Sequence, residues 1–150
     1  MIALIQRVNS ASVTVAGRSV AAIGTGLLAL IGVQRGDTPA HGTRLLQRLL
    51  DYRVFADAHG RMNLALRDAG GGLLLVPQFT LAADTRSGNR PGFSTAAEPA
   101  LARALFEALL AGARAAYPRV SSGEFGAHMV VELVNDGPVT FWLQVPPGED

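Results

Sequence analysis

The sequence predicts an α/β protein of the α+β type, a single domain in which a mostly antiparallel sheet carries two main helices on one face. Three observations predict it: short β-branched and apolar runs near the start, two stretches with apolar residues at helical spacing, and two more extended runs at the end. In chain order, Ile2 to Val8, Ser12 to Val15, Ser19 to Ile23 and Leu27 to Val33 read as strands. Asn-Ser, Ala-Gly-Arg and Gly-Thr-Gly separate them as turn signals, which makes a meander. Asp37 or Thr38 then caps a helix with Pro39 in its first turn and the stripe Leu45, Leu46, Leu49 and Leu50 facing the core. Met62 to Leu66 is a short extended piece, and Leu73 to Phe79 is too short for a buried helix and reads as a central strand. Thr95 with Glu98 suggests a capping box for a second helix, whose apolar face is Leu101, Leu105, Ala108 and Leu109 and which Tyr117-Pro118 ends. Met129 to Val134 and Thr140 to Val145 are the last strands, on either side of a turn at Asn135 to Pro138.

Composition bounds the function. At 150 residues and 49% apolar the chain can bury a real core as one domain, with residues 1–145 as its body and 146–150 as a tail. Without cysteine there is no disulfide framework, thiolate nucleophile or sulfur-ligated zinc, which agrees with a reducing compartment. The opening MIALIQRVNSASVTV alternates like a strand and lacks a basic region followed by an apolar one, so the expectation is a cytoplasmic protein with no membrane association. All 13 basic side chains are arginine, scattered along a chain of net charge +1. That disfavours a long nucleic-acid groove but leaves room for a small contact with a nucleic-acid end.

The usual catalytic arrangements are missing. His41, His59 and His128 stand in no metal-ligand spacing and read as surface or locally satisfied histidines, so no metal or cofactor is expected. The glycines Gly70 to Gly72 precede a strand instead of following one, the wrong side for cradling phosphates. Asp51, Asp57 and Asp84 are not paired by spacing. Any enzyme chemistry must lean on backbone groups or on the substrate itself.

Two stretches stand out: Val76-Pro77-Gln78-Phe79-Thr80-Leu81-Ala82-Ala83-Asp84, and Val134-Asn135-Asp136-Gly137-Pro138-Val139-Thr140-Phe141-Trp142. Read as residues alone, the first ends a buried strand with Phe79 in the core and the second is a turn. Together, in this order and separation, they resemble the two signature motifs of the D-aminoacyl-tRNA deacylase family. MIALIQRV, the segment Arg61 to Leu64, and Asn89-Arg90-Pro91-Gly92-Phe93 extend the likeness over nearly the whole chain. One departure is Pro77, where the family commonly has serine, so a mechanism that needs that hydroxyl cannot operate here.

The resemblance implies a homodimer with active sites at the subunit interface, acting on the 3′ acceptor end of aminoacyl-tRNA. It implies that the Phe79 amide faces the scissile ester, with Gln78 and Thr80 helping to form the pocket. Gly137-Pro138 would be a cis dipeptide inserted from one subunit into the other's site, where its carbonyls grip the substrate amino group and leave no room for an L side chain. Arg7 resembles the arginine that fixes this dipeptide through its carbonyls, and Ala102 a small residue of the pocket wall. The implied chemistry is hydrolysis of D-aminoacyl-tRNA, and of achiral glycyl-tRNA, with the substrate's own 2′-hydroxyl helping to activate water. Two other readings stay open: a conventional hydrolase with Thr80 as nucleophile, and a non-catalytic dimeric module that binds through a sheet edge.

Overall fold

In a computed structural model, which describes residues 1–148, the α+β expectation holds. The strands are β1 (Ile2–Val15), β2 (Arg18–Ile23), β3 (Gly26–Gly32), β4 (Phe55–Ala56), β5 (Met62–Leu64), β6 (Gly72–Pro77), β7 (Val120–Ser122) and β8 (Val130–Gln144). The helices are α1 (Pro39–Asp51), the single turn α2 (Leu66–Ala69) and α3 (Pro99–Ala116), with a 3-10 turn at Phe79–Ala82. Of the tail 146–150, Glu149 and Asp150 lie outside the described residues.

Two boundaries differ from expectation for one reason. Asn9-Ser10 is not a turn, and β1 runs 14 residues without a break. Nor is Asn135 to Pro138 a hairpin turn, since β8 runs 15 residues through it. Each strand is held straight by the other: β8 pairs antiparallel with β1 from Ile2↔Gln144 to Thr14↔Val130, with irregular register only around Val8. Local turn chemistry is overridden by a ladder of that length. On its opposite edge β1 takes β3 along its first half and β2 along its second.

The sheet is mixed, because β3–β6 and β6–β7 are parallel while the three pairings of β1 are antiparallel. Both faces of β3 and β6 are covered, which is why they read as continuous apolar runs. Leu27, Ala29, Ile31, Leu73 and Leu75 enter the main core under α1 and α3. Leu28, Leu74 and Val76 alternate to the other face and form a smaller core with Val8, Ala11 and Val13.

Thr38 caps α1 as expected, and its amide donates to Nδ1 of His41 at 2.9 Å; this histidine is buried and only half satisfied, since its Nε2 meets no partner among the described residues. The second capping box does not form. Glu98 is the N-cap of α3, and the Thr95 hydroxyl donates instead to the carbonyl of Ala82, bracing the loop after the 3-10 turn. Where the chain leaves α3, Tyr117 is buried and its hydroxyl donates to the carbonyl of Gly71, just ahead of β6.

Burial raises the Tyr117 phenol above its usual 10, with Arg119 opposing. The unfolded chain therefore ionises first, so what this group contributes is complete below pH 10 and is lost as pH rises above it. Tyr117→Phe should lose about 1 kcal/mol of stability at pH 8, and its deficit against wild type should shrink above pH 10. Urea unfolding at the two pH values tests this; a constant deficit would show that the phenol does not titrate with folding.

Candidate active site

Because β3 and β6 run parallel, their C-terminal ends open at the same edge of the sheet, and there the chain leaves β6 for the 3-10 turn. Gln78 donates its amide to Ile31 as the last rung, at 2.7 Å. The next two amides, of Phe79 and Thr80, meet no acceptor among the described residues. That is the usual state of the first N–H groups of a helical turn, and here it leaves two neighbouring donors at the end of a strand.

Beside them is a cavity of about 420 Å³, walled by Val76, Pro77, Gln78, Phe79, Ala102 and Met129 among others. Ala102 is buried in the first turns of α3, where a larger side chain would fill this space. Phe79 is not the core residue that the bare strand reading suggests: it is 59% exposed, and its ring leans on that of Phe93 with centroids 5.2 Å apart. The Gln78 carboxamide donates to the Thr80 hydroxyl. No imidazole, amine or carboxylate contacts that hydroxyl in the described residues, so nothing there takes its proton. A separate cleft of about 510 Å³ lies on the other side of the turn, shared by Thr80, Asp84, Arg86 and Trp142.

The second motif is elsewhere. Neither Gly137 nor Pro138 lines the cavity of its own chain; both are exposed on β8 opposite Arg7, and the bond between them is cis. Arg7 secures the segment one residue earlier than its likeness implies, with Nε donating to the Asp136 carbonyl at 3.2 Å and lying 3.2 Å from the Asp136 carboxylate. Its Nη1 donates to the Val54 carbonyl at 2.7 Å. The Asn135 carboxamide spans the irregularity, donating to Arg7 O and Val139 O, each at 3.0 Å. Gly137 has φ +137°, and a Cβ there would sit 2.6 Å from Val139 Cγ2 and 2.9 Å from its amide nitrogen.

The structure thus brings Gln78, Phe79 and Ala102 to one cavity, sets Thr80 on the same turn but lining the second cleft, and places Gly137, Pro138 and Arg7 elsewhere. Sequence reasoning missed Asn135 and Asp136 as the clamps of the second motif. It also missed Phe125, His128 and Met129 at the cavity, with His128 exposed at the rim. The signal for these was weak: an irregular glycine-bearing stretch, Gly123 to Gly126, ahead of an apolar strand. Among the described residues no three His, Cys, Asp or Glu side chains cluster as metal ligands, and no helix is long and apolar enough to cross a membrane.

Comparison with known proteins agrees over nearly the whole chain. A family model described as D-Tyr-tRNA(Tyr) deacylase matches residues 4–144. A D-aminoacyl-tRNA deacylase of Thioalkalivibrio sulfidiphilus is 66% identical over 147 residues, covering 98% of this chain and 99% of that protein. One from Azotobacter vinelandii is 68% identical over 144 residues, with 96% and 99% covered. A solved structure described as c-Myc DNA Unwinding Element Binding Protein superposes with TM-score 0.93 at 37% identity, over 97% of this chain and 99% of that one.

Gly137→Ala should destabilise the fold by about 1–3 kcal/mol through forced displacement of the buried Val139. The urea midpoint measures this, and an unchanged midpoint would mean that the segment around Gly137 is not held in this conformation.

Proposed function

Since the chain belongs to the D-Tyr-tRNA(Tyr) deacylase family and is an enzyme that hydrolyses D-aminoacyl-tRNA, we propose that it does so without a protein nucleophile, at sites completed across a homodimer. The observation that carries this reading is the pair of unpartnered amides at Phe79 and Thr80, on a turn whose Phe79 lines the cavity and whose Thr80 hydroxyl bonds only to the Gln78 carboxamide among the described residues. Hydrolysis of the aminoacyl ester builds negative charge on the carbonyl oxygen, and two preorganised N–H donors are suited to hold it. Water adds to the ester carbon while the neighbouring 2′-hydroxyl relays a proton, taking one from the water as it gives its own to the 3′-oxygen. The tetrahedral intermediate then collapses, and the 3′-oxygen leaves as a neutral hydroxyl. Gln78 orients Thr80, and the small Ala102 leaves room for the substrate side chain.

What supports the dimer is β8. It is an edge strand of 15 residues that leaves Val130, Val134 and Trp142 each more than half exposed, a surface that invites pairing with another chain. It also carries Gly137-Pro138, which its own cavity does not use. In a two-fold dimer this segment enters the partner's cavity, holds the substrate amino group with its carbonyls and excludes an L side chain. Glycyl-tRNA, having no side chain to clash, is a second substrate on this reading, and the cytoplasm, where charged tRNA resides, is the place of action.

Matched D- and L-tyrosyl-tRNA at catalytic enzyme concentration decide between chemistries. D-tyrosyl-tRNA should be cleaved much faster than its L counterpart, and much more slowly when its terminal adenosine lacks the 2′-hydroxyl. Thr80→Ala should keep substantial turnover. Its complete inactivity in a normally folded protein would instead identify Thr80 as the nucleophile, since losing a covalent nucleophile costs several orders of magnitude.

Assembly is tested by sedimentation. Wild type should run at twice the chain mass, and Trp142→Glu should shift to monomer and lose deacylation together. A monomer with full activity would overturn the shared-site model.

A further inference from the structure

Next to the catalytic turn, residues 84–92 form a hairpin with no assigned task. Its base is tied by reciprocal backbone hydrogen bonds between Asp84 and Gly92, at 2.7 and 3.0 Å, and Gly88 turns its tip with φ +68°. Its far end is anchored to the site, because Phe93 immediately follows it and packs on Phe79.

This hairpin carries two exposed cations. The Arg86 guanidinium is 83% exposed yet already oriented, since Nε and Nη2 donate to the two oxygens of Asp84 at 2.8 and 2.7 Å. Those bonds hold the Asp84 carboxyl down to about 2, so it stays ionised and the clamp persists at any physiological pH. Arg86 also lines the cleft that Thr80 shares. Arg90 makes neither an ion pair nor a side-chain hydrogen bond among the described residues. The opposite rim differs. There Arg103 lies over the Phe125 ring at 4.8 Å and within 3.8 Å of Glu107, and Glu98 and Glu124 are exposed.

We propose that this hairpin, through Arg86 and Arg90, grips the phosphodiester backbone of the single-stranded acceptor end of tRNA. The inference rests on the deacylase reading above. The scissile ester joins the amino acid to the terminal ribose, so the preceding phosphates must leave the site across one rim of the turn, and the hairpin is the rim that offers Arg90, without a partner among the described residues, together with Arg86, which is oriented and 83% exposed although Asp84 offsets its charge. Phosphate contacts of this kind position a strand without reading its bases. The hairpin therefore sets where the ester sits without choosing among tRNAs.

The test is the salt dependence of kcat/KM on D-tyrosyl-tRNA for wild type, Arg86→Gln/Arg90→Gln and Arg86→Lys/Arg90→Lys. Each lost contact to single-stranded phosphate should flatten the slope of log kcat/KM against log salt by about 0.7, so the double Gln variant should be shallower by about 1.4. Between about 50 and 200 mM salt that amounts to roughly sevenfold less sensitivity. Its loss at low salt should appear in KM, and the Lys variant should keep most of the wild-type slope. Arg90→Gln alone breaks no contact within the protein and supplies the same readout, by half, if the double variant folds poorly. A Gln variant with wild-type KM and slope would overturn the inference. Wild type is also assayed on the D-tyrosyl ester of adenosine, which has no phosphates. If wild type cleaves neither ester, the deacylase reading itself falls; if it cleaves both and the Gln variants match it on tRNA, only the hairpin is wrong.

Discussion

The pairing of β8 with β1 is the interaction on which the rest of this molecule depends. The start of β8 supplies Val131 to the cavity, with Met129 just ahead of the strand, its middle presents Gly137-Pro138, and it leaves Val134 and Trp142 exposed. None of these would have a fixed position without the ladder to β1, which leaves regular register only where Arg7 and Asn135 take over with side-chain bonds. The irregularity is built in: Arg7 and Asn135 satisfy the carbonyls of Asp136, Val139 and Val54, which are partly buried and lie outside the regular ladder.

The catalytic economy has a similar origin in backbone geometry. A helical turn that starts where a parallel strand stops leaves its first amides without acceptors, at the strand end where ligands of parallel sheets commonly bind. On this reading the protein contributes donors, a bounded volume and alignment, while the reactive hydroxyl arrives with the substrate. The absence of cysteine and the scattering of the three histidines are then consistent with the chemistry.

Much of the fold was legible because periodicity reports burial. The α1 stripe, the apolar runs of β3 and β6 and the end of α3 at Tyr117 all lie where the spacing of apolar residues puts them. What failed was turn chemistry inside long strands: Asn9-Ser10 and Asn135 to Pro138 carry turn residues, and only the partner strand, remote in sequence, shows that the chain goes straight on. Thr95 failed for a related reason, as its hydroxyl serves a carbonyl 13 residues away and not its own helix. In the candidate site, Gln78, Phe79 and Thr80 could be named from a motif, whereas Phe125, Met129 and the clamping role of Asn135 depend on contacts that no local pattern encodes. Phe79 is instructive, because an aromatic at the end of an apolar run normally signals core and here it stands out at the surface against Phe93.

Pro77 shows how a departure from the family's usual residue can be absorbed. Along β6 the amides alternate in direction: that of Leu73 bonds to Arg119 on the β7 side and that of Gln78 to Ile31 on the β3 side. Residue 77 has the parity of Leu73, so an amide there would face β7. But β7 ends at Ser122, opposite Leu75, and the chain then departs after the Gly123 amide bonds to Leu75. A proline at 77 therefore removes no rung from the ladder, and its carbonyl side still hands over to Gln78 on schedule. What it removes is a hydroxyl at the cavity wall. Because the oxyanion donors proposed here belong to the two residues beyond Gln78, they stay in place whichever side chain stands at 77, and the wall becomes less polar without disturbing the turn that carries them.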